Sequence, residues 1–396
     1  MVAIGIPCFF EVGYMDGDLI WFVSSIGGGL FSYDLRQRKL RFLTFLEDNT
    51  TGLWRLVGAI VKVENVLVMA PFSGNYFYFY HISTGTLEKI KCVPKYERMT
   101  PDSYGRFWYG VLYDNSAYFV GCYYPGVVKI DPGTKNIQYW DEMASAVTSR
   151  LPYSTRGYFR NTAVKIHSSL LVPSCQEGFA VCIDLRSGTY KVLNTDENTD
   201  GFWGIFQYKN TILGLTTSDK LYRIEIEGNG LHAEYQPVNL HKGRIRTHSF
   251  IKGNLLYSFD PTRRNAEVIH LVDGNVDLLN CEGIDGPIGK EQFKQQGFTW
   301  LECYKDGFIV FYPRNMELCI LNAKLEIVGR HQLHVSKSDY AKYYDVGEPY
   351  YAIENDGFHT LDCFLREIVQ MDTAGTLRNE IYKGYSKWRL EDFLTV

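Results

Sequence analysis

Seven short stretches of the chain share one grammar: an apolar or aromatic residue, one or two turn formers, then a β-rich run. They are YMDGDLIW (14–21), VENVLV (63–68), YDNSAYFV (113–120), IHSSLLV (166–172), YKNTIL (208–213), IKGNLLY (251–257) and YKDGFIV (304–310). Asn, Asp and Gly tolerate the positive φ of a tight turn, so each stretch reads as a β-hairpin. The first apolar residues after the turns are Leu19, Val66, Ala117, Leu170, Ile212, Leu255 and Phe308, spaced by 47, 51, 53, 42, 43 and 53 residues. A hairpin returning at this interval is a structural repeat.

A second pattern follows each hairpin. LFSYDL (30–35), YFYHISTG (78–85), VVKIDPG (127–133), AVCIDLRSG (180–188), LYRIEI (221–226), VIHLVDG (268–274) and LCILN (318–322) are strands, most of them ending on a polar residue that can bond the following backbone. A last strand comes next, as in KLRFL (39–43) and KVL (191–193). Each repeat is therefore four strands, A to D. Such a sheet buries its faces only against its neighbours.

Over about residues 8–335 this arrangement resembles the β-propeller repeat superfamily. The stretch IDLRSG (183–188) is similar to the D-x-x-[ST]-G turn of many propeller repeats. No named subfamily fits. Trp140–Asp141 is a lone WD pair at the end of a fourth strand, Gly27–Gly29 is the one glycine triplet, and the sialidase S-x-D-x-G-x-T-W box is absent. The expected fold is all-β: a seven-bladed β-propeller of four-stranded antiparallel blades with a short C-terminal helical tail. Six or eight blades stay open, since DVGEPYYAIE (345–354) resembles the start of another hairpin. The expected domains are the propeller over 1–355 and a helical extension over 356–396, packed on the propeller, where Leu361, Phe364, Leu365 and Ile368 have helical spacing.

Composition supplies the core and narrows the partners. Of 396 residues 45% are hydrophobic and 15% aromatic, against 22% charged, so the chain can bury a large interior. The net charge of −4 gives no positive field for nucleic acid or anionic membrane. No uncharged apolar run approaches the roughly 18–20 residues of a membrane-spanning helix. The apolar N-terminus has no basic residue before Arg36, which reads as mature chain rather than signal peptide. Nine Cys form no C-x-x-C pair and lie mostly in apolar strands, so they are expected as reduced core thiols of a cytoplasmic protein. A monomer with no cofactor and no metal is expected.

A glycine followed closely by Trp or another aromatic recurs where strand A begins: GLWR (52–55), GRFWYG (105–110), GYFRN (157–161), GFWG (201–204) and GFTWLE (297–302). In propellers these loops and the B–C loops gather at the mouth of a central channel, and the resemblance implies that ligands bind there. The candidate ligand-binding residues are Trp54, Arg55, Arg106, Trp108, Tyr109, Tyr123, Tyr124, Arg160, Asn161, Trp203, Arg246, His248 and Trp300. Phe72, Asn75, Gln176, Ser218, Arg263, Arg264 and Arg314 fall on the same face. Packing accounts for much of the aromatic content, with Trp wedged between sheets and Gly turning the loop. Arg is the sharper sign. Its planar fork suits carboxylate or phosphate while neighbouring rings stack on sugars, although Arg paired with loop Asp or Glu would carry no function.

Signs of catalysis are sparse. His248 is the best single acid–base candidate, and Glu177, Asp219 and Glu302 are carboxylates on the proposed face. His331 and His334 lie at the end of a strand rather than on one helix face, which argues against a metal pair. The long approach loops 93–106, 141–157 and 281–297 are either lids or extra packing. Three readings follow. The first is a non-enzymatic propeller binding a polar or anionic, glycan-like ligand or a partner protein. The second is a carbohydrate-active hydrolase or lyase at the same mouth. The third is an inert scaffold for protein–protein interaction, with its Arg residues paired internally.

Overall fold

The computed structural model describes residues 10–24, 28–46, 56–94, 106–151, 157–159, 162–195, 200–227, 230–244, 246, 248–260, 265–281, 300–312 and 317–333. Trp54, Arg55, Arg160, Asn161, Arg263, Arg264, Arg314, His334 and the 345–354 and 356–396 segments lie outside them.

Among these residues the repeats form seven four-stranded antiparallel blades. Blade 1 holds β1 (Val12–Asp16), β2 (Leu19–Val23), β3 (Gly29–Asp34) and β4 (Lys39–Phe45). Blade 2 holds β5 (Val57–Val63), β6 (Val66–Pro71), β7 (Tyr76–His81) and β8 (Thr86–Lys91). Blade 3 holds β9 (Phe107–Tyr113), β10 (Ser116–Gly121), β11 (Val127–Asp131) and β12 (Asn136–Trp140), followed by the helix α1 (Ala144–Arg150). Blade 4 holds β13 (Val164–Ile166), β14 (Ser169–Pro173), β15 (Phe179–Asp184) and β16 (Tyr190–Thr195). Blade 5 holds β17 (Phe202–Tyr208), β18 (Thr211–Thr216), β19 (Leu221–Glu227) and β20 (Gly230–Gln236). Blade 6 holds β21 (His248–Lys252), β22 (Leu255–Asp260), β23 (Asn265–His270) and β24 (Val276–Asn280). Blade 7 holds β25 (Trp300–Tyr304), β26 (Gly307–Tyr312), β27 (Glu317–Leu321) and β28 (Ile327–Gln332).

Burial explains the residue pattern within a blade. Every residue of β10 and β26 is buried, as expected for strands covered on both faces, whereas the outer β4, β12 and β24 contain exposed positions. The A–B turns are the ones read from sequence, yet four carry an unusual residue. Glu64, His167, Lys209 and Lys305 hold φ of 49°, 54°, 53° and 48°, where Gly, Asn or Asp would be easier. Five of the C–D turns share one device. Asp34, Asp131, Asp184, Asp273 and Asn322 each accept a hydrogen bond from the backbone N–H two residues on, at 2.8–3.0 Å.

Two features were not expected. The start of the 141–157 loop is helical, and α1 buries Val147 and the flanking Met143 and Leu151 in the same cluster as Leu170 and Phe179 of blade 4. Its N-cap position, Met143, makes no side-chain cap, so the sequence carries no start signal. In addition, β16 pairs in parallel with β20 at Asn194–Gly230 and Thr195–Leu231, joining blades 4 and 5 into one eight-stranded sheet.

The chain divides into two compact units. The first comprises 1–57, 73–76 and 281–396, and its described core is blade 1 packed on blade 7. Phe10 lies between Phe22 and Phe311, with both centroid distances at 4.2 Å, and Gly13 lets the Trp300 indole close onto β1. Tyr304 donates to Asp18 at 2.5 Å, and the Tyr33 hydroxyl is hydrogen-bonded to His331 Nδ1 at 3.2 Å. Among the described blades the first and the last are thus neighbours. The second unit comprises 58–72 and 77–280. Its blades share apolar seams such as Phe206, Leu213, Leu256 and Ile269 between blades 5 and 6.

Candidate functional site

In the second unit, the residues that lead into each strand A are tied to the residues that leave strand B by backbone hydrogen bonds. Phe72 O accepts from Arg106 N (3.1 Å), Arg106 O from Cys122 N (2.7 Å), Cys122 O from Tyr158 N (2.6 Å) and Tyr158 O from Cys175 N (3.2 Å). Ser174 O then accepts from Phe202 N (2.9 Å), and Gly201 O from Thr217 N (2.8 Å). The chain of bonds runs from blade 2 to blade 5. It consumes main-chain groups that would otherwise be open to a ligand.

These bonds explain the recurring glycine. A Cβ on Gly201 would sit 2.3 Å from Cys175 C and Gln176 N, and one on Gly157, which has φ of 82°, would sit 2.6 Å from Cys122 Sγ. Close approach of two backbones leaves room for hydrogen alone. Gly52, Gly105 and Gly297 lie outside the described residues.

The aromatic candidates divide by burial. Trp108 is half-buried, donates through Nε1 to Phe159 O at 3.1 Å and lies 6.4 Å from the Phe72 ring. Tyr109 is half-buried and donates to Ala163 O at 3.2 Å. Trp203 is half-buried against the seam between blades 5 and 6, and Tyr123 is half-buried. Tyr124 is buried between Phe107 and Tyr139, where desolvation, with the Asp141 charge second, pushes its phenol well above the usual range. Its hydroxyl has no hydrogen-bond partner among the described residues. Trp300 is buried in the other unit, against Phe10.

Among the described residues of blades 3 to 6, the arginines do not form an open ring. Arg106 is half-buried, and its charge acts on Tyr139 of the same blade. Arg246 is almost fully buried, with its guanidinium committed to internal partners. Nε donates to Glu267 Oε2 at 3.2 Å, Nη2 to Glu267 Oε2 and to His241 O at 2.8 Å, and Nη1 to Asp219. Glu267 also takes the backbone N–H of His241 at 2.6 Å, and its Oε1 lies 2.6 Å from His241 Nδ1. Asp219 accepts from Gly243 N at 2.8 Å, and the buried Arg244 donates to Asn265. A fork filled in this way holds backbone in place: the network fastens His241, Gly243, Arg244 and Arg246 to β23 and to the B–C turn of blade 5.

Asp219 and Arg246 are therefore brought together as an ion pair rather than as an acid and a ligand contact. Glu177 is exposed, and its backbone N–H faces Ser174 Oγ at 3.3 Å. His248 is half-buried at the start of β21. Glu302 belongs to the other unit, where enclosure raises its carboxyl to about 7. The residue that sequence reasoning missed is Glu267. A lone Glu among Ala266, Val268 and Ile269 in a strand is the sign that would have found it, because a buried carboxylate requires partners.

No protein-family model matches the chain, and no curated protein sequence does. Solved structures do. The computationally designed Ika8 protein matches with a TM-score of 0.53 at 12% identity, over 84% of this chain and 90% of that one. Streptogramin B lyase matches with a TM-score of 0.52 at 11% identity, over 79% and 93%. BamB from Moraxella catarrhalis gives 0.47 at 13% identity, over 76% and 81%. At such identities the likeness is one of fold alone. Together with the seven four-stranded blades, it gives the chain a β-propeller fold and no named subfamily.

Proposed function

We propose that the chain is a non-enzymatic interaction propeller whose ligand is a partner protein. The observation that carries this reading is the saturation of Arg246, with Arg244 beside it in the same internal network. Donors spent on Glu267 and Asp219 are withdrawn from a glycan-like anion. Large apolar side chains, by contrast, stand exposed on the outer strands, Tyr235 of β20 at 47% and Leu278 of β24 at 42%, with Ile226 of the adjoining β19 at 42%. Outer-strand apolar groups suit contact with another protein. The described cysteines are all free thiols, which fits a reducing, cytoplasmic setting.

A second reading rests on blade 3, where Arg106, Trp108 and Tyr123 are all half-buried and near the lead-in to strand A. Those groups suit a polar or anionic ligand. The two readings separate in one pair of measurements. A thermal-shift panel of anionic glycans and nucleotide sugars is expected to leave the melting temperature unchanged, while cross-linking mass spectrometry of the native complex maps a protein onto the outer strands. Stabilisation by a panel member that disappears in Arg106→Ala would overturn the partner reading.

A further inference from the structure

Between blades 5 and 6 lies a cleft of about 250 Å³. Leu213, Leu221 and Ile269 form its apolar floor, and Pro237, Val272 and Asp273 stand at its rim. Val272 is 74% exposed. Beyond the cleft the apolar face continues along β24, where Val276 packs with Leu213 and Ile269 and Leu278 follows two residues on. The volume falls below the roughly 300–1,000 Å³ of small-molecule sites, and it suits one large apolar side chain.

The opposite wall is polar and carries excess acid. Arg223 and Glu225 share the face of Leu221 on β19, and His232 and Glu234 share the face of Gln236, which lines the cleft. Arg223 is already paired with Glu225 at 3.1 Å. Glu234 and Asp273 remain, and Asp273 is held in place by Asn275 through its N–H (3.0 Å) and Nδ2 (2.8 Å). An apolar hole beside fixed negative charge selects a partner with an apolar anchor and basic flanks.

We propose that this cleft docks a segment of a partner protein that inserts one large apolar side chain and carries Lys or Arg beside it. The proposal rests on the interaction reading above and names the surface. The probe is a fluorescein-labelled Arg-Leu-Phe-Arg-Arg peptide, with Glu-Leu-Phe-Glu-Glu as its counterpart, titrated by anisotropy against the full chain. The basic peptide is expected to bind about tenfold more tightly than the acidic one. That binding should weaken by about tenfold in Val272→Lys and in Asp273→Lys, both at exposed turn positions where folding is checked by circular dichroism. Tyr235→Lys, on the opposite face of β20 against Tyr222, should leave it unchanged.

Equal affinity for the two peptides, no binding of either, or indifference to both cleft variants overturns the docking site. Cross-linking of the native complex keeps the two claims apart. A partner mapped elsewhere while the cleft fails the peptide test refutes only the cleft. A chain that binds the basic peptide at the cleft yet cross-links to no protein refutes the interaction reading.

Discussion

Glu302 and Arg246 show how little charge type alone says about a role. The Glu302 carboxyl is raised from 4.5 to about 7 because burial disfavours its ionised form, so the folded chain holds a proton that the unfolded chain releases. Its contribution to stability is complete below about pH 4.5 and is lost as pH rises through 7, at most about 3 kcal/mol. His331, lowered by burial with the Arg38 charge second, acts in the opposite sense and weakens the fold as pH falls. Urea melts at pH 5, 7 and 8.5 are expected to show the Glu302 loss mainly across the lower interval, where His331 acts against it, and Glu302→Gln should remove that loss. Arg246 is expected to matter through Glu267. Arg246→Met leaves a buried carboxylate without its main partner and should cost about 3–5 kcal/mol, with much of the loss recovered when Glu267→Leu is added. A loss in the double variant equal to the sum of the two single losses would show that the pair is not coupled.

At the scale of elements, the hairpins were legible because a two-residue turn between apolar runs is a local signal. All seven A–B turns lie where the sequence places them. The helix α1 was not legible, since it spans seven residues, lacks a cap and is held by packing against blade 4. The candidate site was legible in part. Asp219 and Arg246 were both singled out from sequence, but their pairing depends on Glu267, which lies 21 residues beyond Arg246 on another strand, a distance no local pattern spans. The glycine-aromatic motif, suggestive of recognition, is at Gly157 and Gly201 a requirement of close backbone packing. Gly201→Ala should therefore cost about 2–4 kcal/mol without changing surface chemistry. A thermal melt checks this, and a Gly17→Ala control should lose only the cost of its positive φ, because a Cβ there meets nothing within 4 Å.

For the molecule as a whole, repeats that contact only their neighbours make stability a sum over blades and seams. The seam between the first and last blades is formed by residues far apart in sequence, with Tyr33 and His331 separated by 298 positions. Phe10, stacked on both sides of that seam, is its apolar centre. Phe10→Ala is expected to cost about 3–5 kcal/mol, whereas Val328→Ala, at a position 64% exposed on β28, should stay within about 0.5 kcal/mol. Similar losses in the two variants would mean that the seam adds nothing to the fold.

The parallel pairing of β16 with β20 has a consequence for solubility. An outer strand with unpaired amides is a template onto which another chain can grow, and many all-β proteins guard such edges with charge or proline. Here two of the outermost strands partly shield each other, at Asn194–Gly230 and Thr195–Leu231. The fusion of blades 4 and 5 thereby protects the molecule against self-association along those strands, a duty met by main-chain bonds rather than by side chains.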